Sequence, residues 1–172
     1  MSIVTPCPIP EGSLLAAYPP RGAYTDCYAT EVPGAVSHQA FVTAFYTSWL
    51  FKLERLILRW AVSRPSTDAE AARLATGALD RFSAWTVEGR AENEILLCDY
   101  TGRTRSWLMV RDESEGHAAK TRLYFGSAVV PESGPNADRK LGFPFDLLLD
   151  FHKAYSVALL HAARARVTKP GR

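Results

Sequence analysis

After Gly77 the chain stops repeating every three to four residues and alternates every two, as far as Val130. Arg81–Arg90, Glu94–Tyr100, Thr104–Arg111 and Lys120–Val130 each read as a strand. The links between them are Ala91-Glu92-Asn93, Thr101-Gly102 and Asp112–His117. Links this short cannot hold the crossover that a parallel pair needs, so neighbours must run antiparallel. The expected unit is a four-strand meander. Tyr24–Val32 (YTDCYATEV) also alternates, stops at Pro33-Gly34, and is expected at an edge of the sheet. A sheet of this kind buries one face, and something must cover it.

Helices supply the cover. Ser37 is placed as an N-cap for a helical stretch reaching about Ser63, closed by Pro65. Phe41, Phe45, Trp49, Leu53, Leu56 and Trp60 recur at helical spacing and mark its core face, and Thr47-Ser48 is a candidate break. Thr67 followed by Glu70 forms a capping box, and Gly77 is the left-handed stop of that helix. Pro131–Leu141 reads as a polar loop. Pro144 then opens a long helix to Val167. Leu148, Phe151, Tyr155, Leu159 and Ala162 form one side of it, with Leu147, Ala154, Ala158 and Ala165 beside them.

Composition sets the outer limits. The 172 residues carry 20 Lys+Arg against 18 Asp+Glu, a net charge of +2. That balance argues against a protein that grips nucleic acid by charge. A hydrophobic share of 47% argues against a disordered chain. The expected organisation is an extended N-terminal arm over residues 1–22, one α+β domain over 23–167, and a tail over 168–172. Pro6, Pro8 and Pro10, with no early Lys or Arg, speak against a signal peptide. The apolar run Ala40–Phe51 is too short to span a bilayer. Three cysteines cannot all pair within one chain, so Cys7, Cys27 and Cys98 are read as structural or incidental in a reduced, cytoplasmic protein.

The order of elements is strand, helices, antiparallel meander, long final helix. It resembles the helix-grip superfamily of START-like and Bet v 1-like proteins over about Tyr24–Val167. The resemblance implies an α+β fold in which a β-meander wraps the C-terminal helix, with helices inserted after the first strand and a cavity between sheet and helix. That family has six strands after the short helices, where this sequence offers four. No motif carries a family residue role onto this chain.

Taking Thr101-Gly102 as the turn sets Asp99 opposite Thr104 and Leu97 opposite Ser106. Ile95, Leu97, Asp99, Thr104, Ser106, Leu108 and Val110 then share the face toward the helix. Leu96, Cys98, Arg103, Arg105, Trp107 and Arg111 share the other, expected to be wet. Polar groups on a mostly apolar concave face suit a ligand site, and they equally suit one another. The site residues expected for a bound molecule are Leu97, Asp99, Ser106, Leu108, Phe125, Ser127, Phe151 and Tyr155. His152 and Ser156 lie four apart on the final helix, but no nucleophile elbow surrounds Ser156 in KAYSVAL. A hydrogen-bonded, partly buried His152 is the plainer reading. His38, His117, His152 and His161 lack metal-ligand spacing, no two cysteines are close along the chain, and Gly126 stands outside any phosphate loop.

Three functions fit. The first is non-enzymatic binding or carriage of a small hydrophobic molecule, with no catalytic residue, cofactor or metal. The second is an enzyme of cyclase, dehydratase or hydrolase type, built on Asp99 with His152 or Tyr155. The third is an interaction module, a homodimer or a docking surface for a partner protein or membrane, using the aromatic Phe41–Trp60 segment.

Overall fold

The computed structural model describes residues 3–53, 66–114, 118–131 and 144–169, with side chains of the final helix described from His152 onward. Its class is α+β, with a seven-stranded antiparallel sheet against which the C-terminal helix packs. The strands are β1 (Thr5–Pro6), β2 (Tyr24–Pro33), β3 (Arg81–Phe82), β4 (Trp85–Arg90), β5 (Glu94–Asp99), β6 (Thr104–Asp112) and β7 (Lys120–Val129). Their order is β1-β2-β7-β6-β5-β4-β3. β2 thus joins the far side of the meander, and the two-residue β1 lies outside it. The expected strand Arg81–Arg90 is two strands. A tight turn at Ser83, whose φ is 55°, folds Phe82 back onto Trp85. A bulge between Val87 and Gly89 bends β4 further. The layout is consistent with a helix-grip-like arrangement.

The meander pairs as the turn at Thr101-Gly102 requires, with Leu97 opposite Ser106 and Ile95 opposite Leu108. Four residues, Tyr100 to Arg103, make the turn, and Gly102 takes the positive φ of 75°.

Helix α1 (His38–Tyr46) starts at Ser37, whose hydroxyl accepts from the Ala40 N–H at 3.1 Å. It breaks at Thr47-Ser48 for a local reason. The Thr47 hydroxyl donates back to the Thr43 carbonyl, and the Ser48 hydroxyl accepts from the Phe51 N–H, capping a new helical run that begins at 49. The break corrects the single core face expected across this stretch. Phe41 and Phe45 are fully buried, but Trp49 is 71% exposed and Leu53 49% exposed. Leu56 and Trp60 lie outside the described residues, as does most of the expected Pro131–Leu141 loop. Helix α2 (Asp68–Thr76) has the expected capping box and left-handed Gly77. The last helix, α3 (Pro144–Val167), buries Ser156, Leu159, Leu160 and Ala163. Ala154, Ala158 and Ala165 are exposed, so its buried stripe is narrower than the sequence reading and turned away from them.

Both faces of the sheet are covered. On the helix side Val32, Ile95, Leu97, Leu108, Leu123 and Phe125 join Phe41, Phe45, Leu74, Leu159 and Leu160 in one core. On the opposite side Cys27, Ala29, Leu96, Trp107, Met109, Tyr124 and Ala128 form a second core with Leu15 and Tyr18 of the N-terminal arm. This corrects the expectation of a wet arginine-bearing face. The arm runs across it through two 3-10 turns, Leu14–Ala17 and Pro19–Arg21. Trp107 and Leu15 are completely buried there. Glu94 holds the arm down, its Oε2 accepting from the Leu14 N–H at 2.9 Å and the Trp107 indole N–H at 2.6 Å. Arg105 completes the seam. Its Nε donates to the Tyr18 hydroxyl and to Glu88, and its guanidinium lies over the Tyr18 ring.

Candidate functional site

The helix-side core is not solid. A cavity of about 570 Å³ opens between the sheet, the start of the helical run after the α1 break, and α3. Its walls are chiefly aromatic and aliphatic: Phe45, Phe51, Trp85, Phe125, Tyr155 and Leu159. Alternation explains the wall. Ser106 of β6 and Phe125 and Ser127 of β7 all point to the helix side, because side chains two apart share a face. The break at Thr47-Ser48 turns Leu50, Phe51 and Leu53 onto the same space.

Polar groups gather at two places on this apolar wall. Ser106 Oγ meets the Tyr46 hydroxyl at 3.3 Å, both buried. Ser127 sits opposite Asp26 in the β2–β7 register. Asp26 Oδ1 accepts from the Ser127 N–H at 3.1 Å and from its hydroxyl at 2.6 Å. His152 of α3 closes the cluster, with Nε2 2.8 Å from Ser127 Oγ and 3.4 Å from Asp26 Oδ2. The Asp26 side chain is only 8% exposed. Burial and the nearby Asp26 carboxylate push the Tyr28 hydroxyl up to about 12.

The single hydroxyl proton of Ser127 goes to the carboxylate at 2.6 Å, the shorter contact with the charged acceptor. Ser127 Oγ, having donated to Asp26, is left able to accept from His152 Nε2. In a nucleophile–base–carboxylate relay the base takes the hydroxyl proton at one nitrogen, and the carboxylate holds the other. Here the carboxylate and the hydroxyl meet the same nitrogen. The cluster therefore lacks the two-nitrogen geometry of that relay.

Of the residues singled out from sequence, Ser106, Phe125, Ser127 and Tyr155 line the cavity together. Leu97 and Leu108 are fully buried in the surrounding core and are not part of its wall. Asp99 is not there either. Its carboxylate accepts from the Thr101 hydroxyl at 2.6 Å and from the N–H groups of Arg103 and Thr104, so it holds the hairpin turn. The side chain of Phe151 lies outside the described residues. His152 is the partly buried, hydrogen-bonded histidine expected, whereas its partner Asp26 was not singled out. Ser156 is buried, away from the cavity wall. Among the described residues no group of three or more metal-ligating side chains comes together, and no helix is long and apolar enough to cross a membrane. Comparison with protein-family models, with curated proteins and with solved structures finds no match to this chain.

Proposed function

We propose that this protein binds or carries a small, mainly hydrophobic molecule in the cavity between the sheet and α3, as a helix-grip protein would. The observation that carries this reading is an apolar space of about 570 Å³ with hydroxyls and an imidazole grouped on its wall. That volume lies within the range of small-molecule pockets, and so does the mix of apolar wall and few polar groups. The apolar body would lie against Phe45, Phe125 and Leu159. A hydroxyl or carbonyl on the ligand would turn toward Ser127 and His152. Native mass spectrometry of protein purified from its own host tests the proposal. A retained small molecule is expected, lost when Leu159→Trp fills the space. Absence of any bound mass, together with failure to take up a neutral fluorescent dye such as Nile red, would overturn it.

A second reading is favoured by Trp49, which is 71% exposed at the start of the helical run. Such a ring suits docking to a partner or a membrane surface. Sedimentation and liposome binding of Trp49→Ser against the parent test it. A parent protein that is strictly monomeric and ignores liposomes would sink that reading.

A further inference from the structure

Cys7 directly follows β1, and Cys27 lies on the arm side of β2. Continuing the β1–β2 register from Thr5–Ala29 and Pro6–Tyr28 sets Cys7 opposite Cys27. The Cys7 N–H donates to the Cys27 carbonyl at 2.9 Å, and the two sulfurs are 3.3 Å apart. Both thiols are free. Directly opposed residues of antiparallel strands hold their Cα atoms about 4.5–5.5 Å apart, inside the span a disulfide bridges. Bonding therefore needs a small side-chain movement and no rearrangement of the strands.

The two sulfurs are not equivalent. Cys27 is buried, whereas Cys7 is partly exposed and borders a surface cleft beside Pro6 and Lys153. A hydrogen bond with Cys27 holds the Cys7 thiol below its ordinary value. The same contact, then burial, pushes Cys27 far up. An accessible sulfur with thiolate character attacks, and a buried neighbour resolves.

We infer that Cys7 and Cys27 form a reversible dithiol–disulfide latch that fastens the N-terminal arm to the sheet. The oxidant is a low-molecular-weight disulfide, RSSR. The Cys7 thiolate attacks one of its sulfurs, forming Cys7–S–S–R and expelling one thiolate. Cys27 gives up its proton and attacks the Cys7 sulfur, which forms the Cys7–Cys27 bond and expels the second thiolate. The protein loses two electrons and two protons, and RSSR leaves as two RSH. The bond links positions 20 apart in sequence and tethers the start of the chain that carries Leu15 and Tyr18 onto the second core.

Oxidised glutathione, followed by thiol titration, intact mass and peptide mapping, tests the latch on the full chain. The parent should lose two thiols, shed the mass of two hydrogens, form no bond between chains, and recover both thiols with dithiothreitol. Cys98→Ser should behave identically, because Cys98 lies on β5 and its sulfur donates to the Asp99 carbonyl. Cys27→Ala should retain glutathione on Cys7. Closing a loop of this length should raise Tm by about 5–10 °C. The parent and Cys98→Ser carry the test without either latch cysteine being replaced. A lasting glutathione adduct on the parent, a bond to Cys98 or between chains, or an unchanged Tm on oxidation would overturn the inference.

Discussion

Glu94 is only 7% exposed, and it accepts from two donors that come from different parts of the chain. Removing its carboxylate leaves the Trp107 indole N–H and the Leu14 N–H without an acceptor. Glu94→Ala should cost about 2–3 kcal/mol in urea unfolding, and indole fluorescence should report a disturbed Trp107. Gly126 works through what it lacks. A Cβ there would stand 2.5 Å from Leu15, 2.9 Å from the Asp26 carbonyl oxygen and 3.1 Å from Trp107. Gly126→Ala should destabilise by about 1–3 kcal/mol, because the carbonyl cannot step aside as a flexible side chain would. His38 sets a pH dependence. Burial, reinforced by the Arg90 charge and opposed by a hydrogen bond to the Leu108 backbone, brings its pKa down to about 4. Between pH ~6.5 and ~4 the unfolded chain binds a proton that the folded chain refuses, so stability falls by up to about 3 kcal/mol as pH drops. Above that window His38 is neutral in both states and adds no slope. Urea midpoints at pH 7 and 4.5 should differ less in His38→Gln than in the parent.

At the scale of elements, the arm is the least regular segment and covers the centre of one face of the sheet. Leu15→Ala should cost about 2–5 kcal/mol, measured by chemical unfolding, since its side chain is fully buried against Gly126. An extended arm was expected over residues 1–22, but the face it covers was not legible in the sequence. A segment of 3-10 turns and prolines has no period to read, and its contacts are single residues, Leu15 and Tyr18, rather than a stripe. The arginines on the opposite face gave a misleading cue. Arg105 is paired with Glu88 and lies over Tyr18, so its charge is spent inside the seam. The capping box of α2, the Ser37 cap and the hairpin register were legible because neighbouring residues alone decide them. Asp99 shows where alternation stops being sufficient. Alternation put it on the helix side, but its carboxylate is claimed first by the N–H groups of the turn it precedes.

For the whole molecule, one sheet separates a tightly packed core from a hollow one. Four residues of the cavity wall, Ser106, Phe125, Ser127 and Tyr155, were readable from alternation within β6 and β7 and from helical spacing in α3. The Asp26 partnership was not, because it depends on β2 lying beside β7, and pairing of distant strands leaves no local mark. A ligand that fills the cavity should stabilise the fold by about 2.7 kcal/mol at a hundredfold excess over its Kd. That is a rise in Tm of about 5–10 °C for a domain this size, and thermal-shift scanning would show it. The rise should vanish in Leu159→Trp.

The strand order also has a consequence for how the molecule is made. Asp26 and Ser127, adjacent in the finished sheet, stand 101 residues apart in the chain. On the ribosome β2 emerges with only the two-residue β1 to pair one edge and must wait, the other edge open, until β7 has been synthesised. Closing that span costs loop entropy before any pairing is rewarded. Refolding should therefore take milliseconds to seconds rather than microseconds. While it waits, β2 is the stretch that a holdase would find first.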